Sequence, residues 1–359
     1  MVGLYIHVPF CIRKCSYCDF YSVKWNETSA QKYADSVICE ADGYSGRGIC
    51  ADTVYFGGGT PSLLPPDTVR RILDSLKQAF VISDNAEITL EANPSSLDSA
   101  KLEGYRKAGV NRLSIGVQSS LDNELKALGR LHDFKKAKVC VESARRAGFK
   151  NISVDMMIAI EGQTVELLDK SSDGILSLAP DHISCYILKL EEGTPLYLKK
   201  PSLPDDEQTA KLYLRLSKKL ESEGFAHYEI SNFAKLGFES RHNLKYWRGE
   251  EYIGLGPAAH SYFGGKRYYN KRDISAYLNG DDIRITEEQT VDRAEEYLAL
   301  SLRLSEGVSI KKYISLGGDT AINEKLKFIP EQYIKADGKR ISLTDEGFLV
   351  SNEIIATLL

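Results

Sequence analysis

Three thiols crowd the start of the chain. Cys11, Cys15 and Cys18 follow a C-x3-C-x2-C spacing in the stretch from Tyr5 to Phe20. Three thiolates on one loop can hold three irons of a cubane cluster and leave the fourth iron open to a small molecule. Zinc would need a fourth ligand, which Asp19 or His7 could supply. A disulfide is the weaker reading, because this cysteine usage suits a reducing compartment. The other cysteines, Cys39, Cys50, Cys140 and Cys185, are scattered and read as small buried hydrophobes.

Further polar groups stand where apolar runs stop. Gly57 to Pro61 reads Gly-Gly-Gly-Thr-Pro after the run Thr53 to Phe56, and its glycines would let a backbone approach a ligand closely. Glu91 follows Glu87 to Leu90, Gln118 follows Arg112 to Ile115, and Asp155 ends Asn151 to Asp155. Arg130 lies in Leu-Gly-Arg-Leu-His. Carboxylates suit hydroxyls and ammonium groups, and a guanidinium suits a carboxylate. Each alone reads equally as a turn, a salt bridge or a cap. Their common place at strand ends sets them apart.

The elements that would position them alternate. Leu4 to Val8 reads as a buried strand ended by Pro9. Helical spacing runs through Val69, Ile72, Leu73, Leu76 and Phe80, with Asp67 as N-cap. Helical stretches also cover Asp98 to Ala108, Leu121 to Leu128, Phe134 to Ala147 and Val165 to Leu178, and His182 to Ile187 is a strand. Six strand-plus-helix units up to about residue 190 predict an α/β fold with parallel strands and crossover helices. Motifs after the strands would then gather at one end of the sheet, as in barrel-like α/β folds. A doubly wound open sheet is the alternative. A helix follows over about Glu207 to Glu223, and residues 226 to 285 show little periodicity. Asp337-Gly338 between two short strands reads as a hairpin turn near the C-terminus.

Composition bounds the classes. The 359 residues are 43% hydrophobic and 27% charged, with a net charge of −4, which argues against a general nucleic-acid binder. No apolar stretch approaches the roughly 20 residues of a spanning helix. No signal-peptide pattern opens the chain, so a cytoplasmic protein is expected.

The Cys11–Cys18 loop, with Tyr17 before its last cysteine, resembles the signature of the radical S-adenosylmethionine (SAM) superfamily. The resemblance implies a partial (β/α)6 barrel and a [4Fe-4S] cluster on Cys11, Cys15 and Cys18. SAM would chelate the open iron and be split into a 5'-deoxyadenosyl radical. It implies SAM contacts at Tyr5, Gly58, Gly59, Thr60, Glu91, Gln118, Arg130 and Asp155. Within the superfamily, the segment Tyr5 to Cys11 and the Gln118 and Arg130 motifs resemble the coproporphyrinogen oxidase-like group. That group contains oxygen-independent coproporphyrinogen III oxidases and the HemW haem chaperones. The oxidases carry a further cysteine where this chain has Phe20, and an extension before the first strand, which is expected here at about residue 4. His242-Asn-Leu-Lys-Tyr246-Trp247 is similar to the HNxxYW motif of the HemW group.

That likeness implies a haem-binding protein that passes haem to acceptor haemoproteins, membrane-associated ones among them, and draws on an electron donor. It makes His242, Tyr246 and Trp247 haem contacts; read as residues alone they suit a satellite core over the barrel better. Seven basic residues between Arg241 and Arg272 could meet haem propionates or form a solvated surface. The expected divisions are a barrel over 1–200, a linking region over 201–285 that completes it, and a small winged-helix-like C-terminal domain over 286–359. A porphyrinogen-modifying enzyme is the alternative function.

Overall fold

A computed structural model of the chain describes residues 1–287 and 292–359. Six strands form the expected parallel series: β1 (Val2–Val8), β2 (Cys50–Gly58), β3 (Val81–Ala92), β4 (Arg112–Gln118), β5 (Asn151–Ile158) and β6 (His182–Ile187). Each pairs with the next in parallel, and the crossovers carry helices such as Glu27–Asp42, Pro66–Ala79 and Val165–Leu176. This is the α/β partial barrel expected from the sequence.

The alternation along each strand has a physical reading. Leu4, Ile6, Val54, Phe56, Leu90, Leu113, Ile115, Ile152, Val154 and Ile183 are all buried apolar positions. Side chains in a strand point alternately to its two faces, so these share a face toward the helices. The other face carries Tyr5, His7, Tyr55, Glu91, Ser114, Asp155 and Ser184. The barrel interior is therefore polar, and the apolar contact lies between sheet and helices.

The stretch without periodicity supplies the sheet's two edges. Beside β6, β8 (Asn232–Ala234) and β7 (Ala226–Glu229) add antiparallel. Beside β1, β9 (Tyr252–Leu255) adds in parallel, followed by antiparallel β10 (His260–Phe263), β11 (Lys266–Asn270) and β12 (Arg284–Thr286). The order β12-β11-β10-β9-β1-β2-β3-β4-β5-β6-β8-β7 makes one twelve-stranded sheet. The helix Arg241–Trp247 lies across the end where these strands begin. The Glu87 carboxylate accepts from the backbone N–H groups of Arg241 and His242. A Cβ on Gly3 would meet the His242 ring at 3.0 Å, so the helix sits hard against β1.

Two expectations are corrected here. Pro65, not Asp67, is the N-cap of the helix Pro66–Ala79, because Pro66 fits the first helical position, where no N–H is needed. Cys140 and Cys185 are buried, but Cys39 and Cys50 are exposed.

The C-terminal part holds β13 (Val308–Ser309), β14 (Ile334–Ala336) and β15 (Arg340–Leu343), ordered β13-β15-β14. Helices Arg293–Ser301, Ile310–Ser315 and Ser351–Leu358 accompany them. It docks through Asp345, which accepts from Ser217 and faces His227 at 2.9 Å. The boundary expected at 285/286 falls beside residues 288–291, which lie outside the described residues. No helix of the described residues is long and apolar enough to cross a membrane.

Candidate functional site

A cavity of about 860 Å³ opens at the C-terminal ends of the barrel strands. Its lining contains Cys11, Cys15 and Cys18 together with Tyr5, Gly58, Gly59, Thr60, Glu91, Gln118, Arg130 and Asp155. Residues spread over 150 positions thus meet because most lie in, or just after, the C-terminal half of a parallel strand.

The thiol loop begins after Pro9, and Phe10–Cys11 pairs briefly with Val23–Lys24. That pairing folds the intervening residues back over the cavity. The Cys18 N–H donates to the Cys15 carbonyl at 3.2 Å, and Cys11 Sγ lies 3.4 Å from Thr60 Oγ1. Arg130 donates from Nη1 to Cys15 Sγ at 3.3 Å and from Nη2 to the Gly116 carbonyl at 2.5 Å. Among the described residues no group of three His, Cys, Asp or Glu side chains converges as a single ion would need. A four-iron cluster takes one thiolate per iron and needs no such convergence.

The rest of the cavity fits a small cationic molecule with a carboxylate. Gly59 is where the backbone must come close: an added Cβ would meet the Phe10 carbonyl at 2.7 Å. Gly58 has φ +108°, and its N–H donates to Glu91 Oε2. Glu91 also accepts from Tyr55 Oη at 2.8 Å. Burial, and then the nearby Asp155 carboxylate, raise the Glu91 carboxyl to about 7. Asp155 is raised too, mainly by burial, although Ser114 donates a hydrogen bond to it. Two buried carboxyls, both raised in one recess, suit a positively charged ligand. Arg130 Nε is buried and has no partner among the described residues, which leaves a donor for an acidic group. Gln118 is aimed into this space by a break in register between Gly116 and Gln118, where its own φ is +74°.

The haem triad is not brought together at the cavity. Tyr246 lines it, but His242 and Trp247 do not. His242 is 1% exposed, with Nδ1 2.8 Å from Thr53 Oγ1 and Nε2 2.9 Å from Tyr246 Oη. Its ring stacks on Tyr55, and burial lowers its pKa to about 3. Both nitrogens are taken, so His242 has no lone pair for iron here; it packs the helix into the barrel end. Trp247 lies under the Arg303 guanidinium. The basic run is largely spent as well. Arg241 and Lys245 pair with Asp52, Lys245 also with Glu250, Arg248 with Glu306, and Arg267 with Glu296. Arg272 does reach the cavity.

Sequence reasoning missed several lining residues. Ser114 and Tyr186 come from the polar faces of β4 and β6, and the alternation along those strands could have found them. Tyr252, His260 and Arg272 come from the edge strands and their loops, where no periodic signal existed.

Comparison with known proteins agrees with this geometry. The profile of the radical SAM superfamily matches residues 5–172. The heme chaperone HemW of Bacillus subtilis is 37% identical over 100% of this chain and 99% of its own length. HemW of Lactococcus lactis is 33% identical over 99% of this chain and 96% of its own length. The solved structure of coproporphyrinogen III oxidase from Escherichia coli superposes with a TM-score of 0.85 at 22% identity, covering 99% of this chain and 89% of the oxidase, and so shares its fold. Polar motifs at the strand ends, the thiol loop and full-length similarity together give one conclusion: this chain belongs to the HemW family of the radical SAM superfamily.

Proposed function

We propose that this protein is a haem chaperone. It would bind haem as cargo and pass it to acceptor haemoproteins, with a [4Fe-4S] cluster on Cys11, Cys15 and Cys18 and SAM at the open iron. The observation that carries the reading is Phe20, an exposed aromatic on the cavity rim at the position where coproporphyrinogen oxidases have another cysteine. The similarity to heme chaperones over both full lengths supports it.

When bound, the cluster supplies a single electron to SAM. The protein's own residues would do the rest. Arg130 steadies the Cys15 thiolate, and its free Nε is suited to the SAM carboxylate. Glu91 and Asp155 would take the cationic and hydroxyl-bearing parts. Gly58 and Gly59 give the methionine part room against the backbone. Tyr5, Thr60 and Gln118 line the same space.

The alternative is a porphyrinogen-modifying enzyme, which the shared oxidase fold keeps open. Haem titration of the anaerobically reconstituted protein, run in parallel with coproporphyrinogen III, separates the two. Stoichiometric haem uptake with no loss of propionate carbon is expected. Conversion of propionates to vinyl groups would replace the chaperone reading with the enzyme.

A further inference from the structure

If the chain carries haem, as proposed above, some side chain must meet its iron. Imidazole nitrogen is a common protein ligand for haem iron, and the chain has six histidines. Five are engaged inside the protein. His7 has its ring nitrogens on Tyr5 and the Tyr21 carbonyl, and His182 on Ser153 and Tyr228. His227 is held by Tyr213 and Asp345, and His242 by Thr53 and Tyr246. His132 is buried on the Val117 carbonyl, away from the cavity.

His260 shares the cavity lining with His7 but differs from the other five in exposure and in its free ring. It is exposed, it lines the cavity, and its ring has no hydrogen-bond partner among the described residues. It opens β10 directly opposite Tyr269 of β11, and the two rings stack at 5.1 Å and 21°. A cross-strand ring pair of this kind holds the imidazole in one orientation. Arg272 stands in the same part of the lining, without an ion pair among the described residues. Desolvation lowers the His260 pKa, Arg272 and Arg267 lower it further, and Glu287 opposes them. The balance favours the neutral imidazole that a metal requires.

We infer that His260 is the axial ligand to haem iron in this protein and that Arg272 beside it meets a haem propionate. The site lies on the β9–β10 side of the cavity. The carboxylates and Arg130, proposed for SAM, lie on the β3–β5 side, so both ligands find their own partners in one recess.

The test is a titration of the anaerobically reconstituted full chain with haemin, followed by optical and electron paramagnetic resonance spectra. His260→Ala should lose the histidine-ligated spectrum and bind haemin about tenfold or more weakly, with imidazole in the buffer restoring the spectrum. His260→Cys should shift the spectrum to thiolate ligation, a positive signal that a misfolded chain would not give. Arg272→Ala should weaken haemin binding and leave haemin dimethyl ester, which lacks the propionate charges, unaffected. Wild-type protein that takes up haemin, with His260→Ala matching it in spectrum and affinity, overturns this assignment alone. Wild-type protein that takes up no haemin overturns the chaperone reading and the assignment with it.

Discussion

Replacing His242 by alanine should cost stability and leave haem ligation alone. The imidazole bridges Thr53 and Tyr246 with hydrogen bonds of 2.8 and 2.9 Å and stacks on Tyr55 at 5.1 Å. Two net hydrogen bonds contribute about 1 kcal/mol each, and an aromatic contact about 0.5–1.5 kcal/mol. The cavity left behind, with two buried hydroxyls unpartnered, raises the total loss to about 3–5 kcal/mol. Urea unfolding followed by circular dichroism reads this loss directly. A haemin titration of the same variant below its unfolding transition should reproduce the wild-type spectrum. Stability within about 1 kcal/mol of wild type, together with an altered haem spectrum, would refute the packing role and return His242 to the iron.

Cys11→Ala, Cys15→Ala and Cys18→Ala should each lose the stable four-iron cluster, whereas Cys39→Ala and Cys140→Ala should keep full iron content; a wild-type cluster in Cys15→Ala would sink the assignment. Asp155→Asn should bind SAM about tenfold or more weakly by calorimetry with its iron intact, and an unchanged affinity would place SAM elsewhere. Acid should erode what His242 contributes. Its folded pKa of about 3 lies below the unfolded 6.5, so the unfolded chain takes up the proton first. The stabilisation is whole above about pH 6.5 and is lost as pH falls toward 3, by up to about 1.4 kcal/mol per pH unit. Comparing wild type with His242→Phe across that range isolates the effect from Glu91 and Glu229, whose raised values near 7 act in the opposite direction. A stability difference that does not change with pH would contradict it.

The parallel core was legible because its strands carry their own apolar signal and their helices carry spaced leucines and isoleucines. The cavity was legible because most of its polar residues lie in, or just after, the C-terminal halves of those strands. His242 was not: its partners, Gly3, Thr53 and Glu87, lie more than 150 residues upstream, and only the folded sheet brings them together. The basic run was misleading for the same reason, since Asp52, Glu296 and Glu306 are distant in sequence from the arginines and lysine they neutralise. The edge strands β7 to β12 are three to five residues long and lack room for a periodic pattern.

The helix Arg241–Trp247, fixed against β1 to β3, turns the barrel into a vessel stoppered at its base. Traffic then runs through the rim, where Phe20, His260 and Arg272 stand, while Glu91 and Asp155 lie deeper. With SAM and haem bound as proposed, loading would acquire an order: the deep ligand would go in first and leave last, and cargo at the rim would set how long it stays. Bound haem should therefore slow the escape of SAM measured by dilution into unlabelled SAM, even where it leaves SAM affinity unaltered.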